Sequence, residues 1–287
     1  MIGKGEEKMA DYLAREGSPL SAEQWERLEK AAVEAARAVL VGRRFIPLFG
    51  PLGPGVQVVP ADELTGVSEG AVGMALEEAG EVVAGAKRQY LPLPVLAKDF
   101  RLEWRDLEAE AQLGLPLDVG RAAAAAFGVA WAEDALIFHG EPDLGLPGLL
   151  TAPQRLRSEQ GDWSIPGQAY EAVVAALEKL AKADFFGPYA LAVSPRLYAA
   201  LNQVYRDTPY LELERVEKLV RAGVYQSPVL PEKGAVLVAV GAENLDLAVA
   251  QDLTIAFLET RSMNHYFRVL ESLVLRIKRP QAICTLE

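Results

Sequence analysis

Gly42-Arg-Arg-Phe-Ile-Pro-Leu-Phe-Gly-Pro-Leu-Gly-Pro-Gly55 is the stretch on which the reading of this chain turns. Arg43 and Arg44 close a helix, and the glycine and proline cluster behind them lets no helix continue. Residues 56–60 are then short and β-branched, with nothing local to pack on. A helix that ends in a basic pair and releases an extended arm belongs to a chain that grips its neighbours. The stretch speaks for assembly rather than catalysis.

Upstream of it, residues 21–41 read as an amphipathic helix. Ser21 is followed three positions later by Gln24, a capping-box pattern, and Ser18-Pro19 breaks the chain before it. Trp25, Leu28, Ala32, Ala36 and Val39 recur at helical spacing, with Glu23, Arg27 and Lys30 on the other face. Downstream, residues 51–94 hold many glycines and no sustained helical period. Short strands at 56–59 and 90–93 would frame a long arm with its tip between 61 and 87. A connection of that length inside a domain is usually functional, and its unpaired backbone is a template for another chain.

Further along, residues 118–138 predict a long helix capped by Asp118 and carrying the alanine run 122–126. Helices are expected at 169–183, 195–204 and 213–222. Strands are expected at 188–194, 235–240, 247–250 and 254–258, and a long strand or hairpin at 266–283. Trp104 falls where alternation from Phe100 would turn one side outward, to stack on a planar ligand or pack under a neighbour's arm, and packing is the preferred reading. Helices and strands interleave without a βαβ rhythm, so the fold class is α+β.

The 287 residues carry 40 acids against 29 bases, a formal charge of −11, which argues against a general nucleic-acid surface. Local basic candidates remain in Arg43, Arg44, Lys87 and Arg88. With 51% hydrophobic residues the chain can bury a substantial core. One cysteine, Cys284, allows no internal disulfide and suits a reducing compartment. No apolar run reaches the roughly 18–20 residues that span a bilayer, and the polar start, residues 1–9, lacks a signal-peptide core. The expectation is a cytoplasmic protein.

The search for chemistry returns little. His139 and His265 are far apart and sit in no metal-ligand spacing, so no metal site is expected. His139, at a helix end, reads as a capping residue. There is no nucleophile elbow, no Walker loop and no dinucleotide fingerprint. The prolines among residues 50–55 remove the amides that a phosphate would need. Asp252 and Glu259 are an acid pair of little weight in so acidic a chain, and Cys284 lacks an activating base. No catalytic residue and no cofactor is assigned.

Several segments match one family in order: Leu20-Ser-Ala-Glu-Gln-Trp25, Gly42-Arg-Arg-Phe45, Gly50-Pro-Leu-Gly53, Leu91-Pro-Leu-Pro94, Glu133-Asp134, Phe138-His-Gly140, Gly145-Leu-Pro-Gly148, Gly187-Pro-Tyr189 and Gln251-Asp-Leu-Thr-Ile255. On these residues the chain resembles the encapsulins, shell proteins with the phage major-capsid fold, once grouped as linocin-type bacteriocins. The resemblance implies an icosahedral homo-oligomer enclosing a cargo enzyme, commonly a ferritin-like protein or a dye-decolourising peroxidase, for iron storage or oxidative-stress protection. Residues 1–20 are taken as a leader, a feature unfamiliar in that family; the resemblance implies the amino-terminal helix of the peripheral domain (21–51), an extended loop (52–94), a peripheral domain with the spine helix (95–150), an axial domain (151–249) and closing peripheral strands (250–287). By position, Leu40, Arg43, Asp252 and Ile255 are the candidates for binding a cargo peptide. Tyr205, Arg206, Asp207, Thr208, Pro209 and Tyr210 are the candidates for a pore loop. Pro47 stands where members often carry an acid. The alternatives are a phage or prophage major capsid protein, and a bacteriocin or hydrolase.

Overall fold

Ser21 and Gln24 start the first helix by exchanging bonds. The Ser21 amide donates to Gln24 Oε1 at 2.8 Å, and the Gln24 amide donates to Ser21 Oγ at 3.2 Å. The helix runs Ala22–Val39 and buries Trp25, Leu28, Ala32 and Ala36, the stripe that its spacing predicts. The computed structural model describes residues 11–67, 70–75, 80–206 and 208–287. It divides into two compact units: one of Met1–Val39, Val95–Ala130 and Asp252–Glu271, the other of Leu40–Pro94, Trp131–Gln251 and Ser272–Glu287.

In the first unit, the helix Ala22–Val39 and residues 120–130 of the helix Gly120–His139 share a core with the strand Val95–Leu102 and residues 252–271. Phe267 is its centre. The Trp25 ring meets it edge-on at 5.6 Å and Phe100 stacks on it at 5.3 Å. Asp118 Oδ1 accepts from the Gly120 amide at 2.8 Å, which turns the chain into the spine helix. Trp104 does not continue a strand; it opens a helix, Trp104–Leu113, that ends on Gly114 at φ 67°. That helix buries no residue fully, so it has no apolar stripe for a sequence pattern to reveal.

The second unit centres on a five-stranded sheet in the order Leu156–Ser158, Ile283–Leu286, Ala235–Ala239, Tyr189–Val193 and Val224–Gln226. Leu237 is its middle, facing Cys284 on one side and Leu191 on the other. The helix Gln168–Lys182 covers it with Val173, Ala176 and Leu180. The start of that helix is held by the buried carboxylate of Glu212, which accepts from the Gly167 amide at 3.1 Å and the Tyr170 amide at 2.8 Å. The arm also belongs here, with Val58–Thr65 antiparallel to Ala84–Pro92. Its strands are longer than the sequence implies, and they leave the tip correspondingly shorter.

Two sequence readings change. The strands expected at 247–250 and 254–258 are one, Leu245–Arg261, because exposed Asp252 interrupts the apolar pattern but not the backbone. The tail expected at 266–283 is the strand Asn264–Ile277, and the following segment Ile283–Leu286 joins the five-stranded sheet. The turn between the two long strands places Ser262 and Met263 at φ 51° and 67°, which are left-handed values that let a two-residue hairpin close.

Candidate docking and assembly site

The docking candidates fall into two pairs, Leu40 and Arg43 in one unit, Asp252 and Ile255 in the other. Around the first pair, Gly42–Arg44 forms a short 3₁₀ turn. Asp134 receives its open end. Its carboxylate accepts from the Val41 amide at 2.9 Å and from the Gly42 amide at 2.9 Å. A Cβ at position 42 would stand 2.5 Å from Ile137 Cδ1, so a larger residue there requires the Ile137 side chain to shift. Beside it, Arg43 Nε donates to both oxygens of Glu133, at 2.7 and 3.0 Å. Glu133 is fully buried, and Arg43 supplies its countercharge. Asp134 is mostly out of water, and burial pushes its carboxyl up to about 7; the Gly42 and Val41 amides and Arg44 pull it down, while Glu133 raises it further. Leu40 is buried. Thus Gly42-Arg-Arg and Glu133-Asp134, two segments of the family pattern, are one packed device.

In the other unit, the Ile255 side chain is 1% exposed, among Trp25, Phe100 and Phe267. What Ile255 offers outward is its carbonyl, which accepts from Arg15 Nε at 3.2 Å and Nη2 at 3.0 Å. Asp252 is exposed, and its Oδ1 accepts from the Leu253 amide at 2.9 Å. Sequence reading passed over Arg15, which lies in the stretch taken as a leader. Residues 1–10 of that leader are outside the described residues, but residues 11–20 pack within this unit, with Leu20 buried. The signal available was Tyr12-Leu13, an apolar pair upstream of Ser18-Pro19.

The arm presents a different surface. Tyr90 is 69% and Val82 is 79% exposed. Arg88 clamps Asp62 across the strands with paired bonds of 2.8 and 2.7 Å, which hold the Asp62 carboxyl below its ordinary value. Towards the tip end of its first strand, the Leu64 amide donates to the Lys278 carbonyl at 3.0 Å. Residues 68–69 and 76–79 of the tip are outside the described residues.

The pore-loop candidates form a closed turn. The Tyr205 amide donates to the Tyr210 carbonyl at 2.8 Å, and the Arg215 guanidinium lies 5.6 and 4.9 Å from the two ring centres. Arg206 pairs with Glu171. Thr208 Oγ1 donates to the Tyr205 carbonyl at 2.7 Å, and Asp207 is outside the described residues.

Among the described residues no group of three or more His, Cys, Asp or Glu is placed to hold a metal. His139 Nε2 donates to the Val229 carbonyl at 2.7 Å. Burial drives the Cys284 thiol up to about 11, so it stays protonated and unreactive near neutral pH. Among the same residues no helix is long and apolar enough to cross a membrane.

A two-stranded arm, a spine helix and a five-stranded sheet in this order define a capsid-type shell subunit. A crystal structure of a virus-like particle from Pyrococcus furiosus matches with a TM-score of 0.76 at 23% identity, over 92% of this chain and 100% of that one. The capsid of Myoviridae phage XM1 matches with a TM-score of 0.59 at 12% identity, over 84% and 88%. Both show the fold. The family model described as "encapsulating protein for peroxidase" matches residues 10–274, and the chain belongs to that family, the encapsulins. It is 48% identical over 279 residues to the type 1 encapsulin shell protein EncA of Myxococcus xanthus, covering 97% of each chain. It is 42% identical over 268 residues to a diheme-cytochrome–encapsulin shell fusion protein of Kuenenia stuttgartiensis, covering 93% of this chain and 74% of that one.

Proposed function

We propose that copies of this chain close into an icosahedral shell around an enzyme held by a short terminal peptide. The observation that carries this reading is the arm. Its strand Ala84–Pro92 is exposed over most of its length, and the apolar arm residues Tyr90, Val82 and Val83 stand largely open to solvent. A two-stranded ribbon of that kind is marginal alone and gains its stability when a second copy buries it. Membership of a family of encapsulating proteins supports the same conclusion.

Cargo docking is assigned to Leu40, Arg43, Asp252 and Ile255. In one unit the Arg43 guanidinium supplies polarity beside buried Leu40; in the other the Asp252 carboxylate does so near buried Ile255. Tyr205–Tyr210 is assigned to the wall of a pore on the fivefold axis. The family description favours a peroxidase as the load, and a ferritin-like iron oxidase is the second choice. The compartment would then sit in the cytoplasm and serve oxidative-stress protection or iron storage.

The chain expressed alone, examined by sizing and electron microscopy, is expected to give hollow closed particles. A stable monomer at micromolar concentration would overturn the reading. Full-size particles packed with nucleic acid would move the protein to the capsids.

A further inference from the structure

We propose that residues 11–17 are a displaceable strap over the strand edge at residues 254–257, and that a cargo tail reaches this edge by taking the strap's place. The proposal rests on the reading that cargo docks beside Asp252 and Ile255, and it adds a gate to that docking.

The N–H and C=O of one strand residue point to the same edge, so Ile255 and Phe257, two positions apart, present their polar groups together. Residues 11–17 cover that edge. The Phe257 amide donates to the Leu13 carbonyl at 2.9 Å. Arg15 reaches the Ile255 carbonyl with two nitrogens and the Thr254 hydroxyl at 3.0 Å. The same guanidinium pairs with Glu29 at 2.5 Å and lies 4.9 Å over the Trp25 ring.

This cover is incomplete in a specific way. Residues 11–17 form a turn, not a strand: the Ala14 amide bonds back to the Asp11 carbonyl, the Gly17 amide to the Ala14 carbonyl, and Ala14 sits at φ 49°. Among the described residues the edge therefore receives one backbone bond from the strap, where an extended peptide would offer a run of them. Most of the strap is exposed, and no residue of the turn Arg15–Gly17 is buried. Held chiefly through Arg15 and otherwise mostly exposed, such a segment opens at smaller cost than a buried strand. It is also tethered, which gives it an effective concentration of about millimolar at the edge. Weak peptides are thereby excluded, while a tail that pairs along the edge displaces it. The fitting partner is an extended peptide that gives a carbonyl to Phe257 and a basic side chain to Ile255 and Thr254.

The test uses a fluorescent protein carrying residues 9–20 of this chain at its carboxy terminus, coexpressed with the full-length shell protein. Wild-type shells, with the edge covered, should take up little of it. Arg15→Ala shells should take up more, on the order of tenfold, and Arg15→Lys shells an intermediate amount. Equal loading of wild-type and Arg15→Ala shells, or none in either, overturns the proposal. Where Arg15→Ala fails to assemble, hydrogen exchange on wild-type shells decides: a synthetic peptide of residues 9–20 should speed exchange in the chain's own residues 11–17, and no change counts against the strap. Failure of the docking reading is separate. It would appear as natural cargo captured equally by wild-type and Asp252→Ala shells, whatever the probe does.

Discussion

The strand Ala84–Pro92 of the arm and the strand Ala235–Ala239 of the five-stranded sheet form the same kind of antiparallel ladder, yet they live in opposite surroundings. Seven of the nine arm residues are exposed, whereas all five residues of the sheet strand are buried. Backbone hydrogen bonds are common to both, so they cannot be what distinguishes a self-sufficient element from one that waits for a partner. The difference is the faces. Leu237 has a strand on each side and the core cluster of Val173, Leu180 and Leu191 around it; Tyr90 has one paired strand and open surroundings. The sheet encodes a fold, and the arm encodes an assembly.

The strongest way to break that contrast is to remove the arm. Replacing residues 61–87 with a short glycine-serine turn should abolish particles entirely, while circular dichroism of the subunit keeps the sheet and helices. Shells that survive the deletion would end the assembly reading. Next in size, Leu237→Ala should cost about 2–5 kcal/mol of subunit stability, since it opens a cavity in a site with no exposure. The matched arm change, Tyr90→Ser, should cost the subunit less than about 0.5 kcal/mol and act on assembly alone. Urea unfolding of dissociated subunits measures both, and similar losses would erase the distinction. Between those two, Gly42→Ala should cost about 1–3 kcal/mol, because its Cβ meets the packed Ile137 side chain rather than solvent. An unchanged urea midpoint would show that Ile137 has room to move.

How much of this the sequence carried follows the same line. Elements with a local signature were legible: the Ser21–Gln24 capping box, the alanine run of the spine helix, the apolar strand around Leu237. The arm was legible through its glycines and prolines, which exclude other structures, although pairing carries its strands well past the expected ends. Trp104–Leu113 was not legible, because a half-exposed helix without a side-chain N-cap writes no periodic pattern. The contact of Arg43 with Glu133 was not legible either. The residues are 90 positions apart, and each alone is an ordinary surface charge. Arg15 escaped for a third reason: a turn that caps a strand edge has no period of its own, and its meaning lies wholly in residues 254–257.

The last prediction concerns the joint at Asp134, where the effect is read as a slope with pH, and it sharpens the contrast by asking whether a buried charge costs the core stability. Its carboxyl is raised from an ordinary 3.8 to about 7, chiefly by burial. Between those values the folded chain holds a proton that the unfolded chain has released, so stability should fall as pH rises from about 4 to about 7. A single group contributes at most about 1.4 kcal/mol per pH unit to that slope. Asp134→Asn keeps an acceptor for the Val41 and Gly42 amides and removes the titration. Its urea midpoint should therefore decline less across that window than that of the wild type. Equal slopes would mean that the two amides and Arg44 hold the charge comfortably, and that the joint, like the arm, tolerates polarity at no cost to the fold.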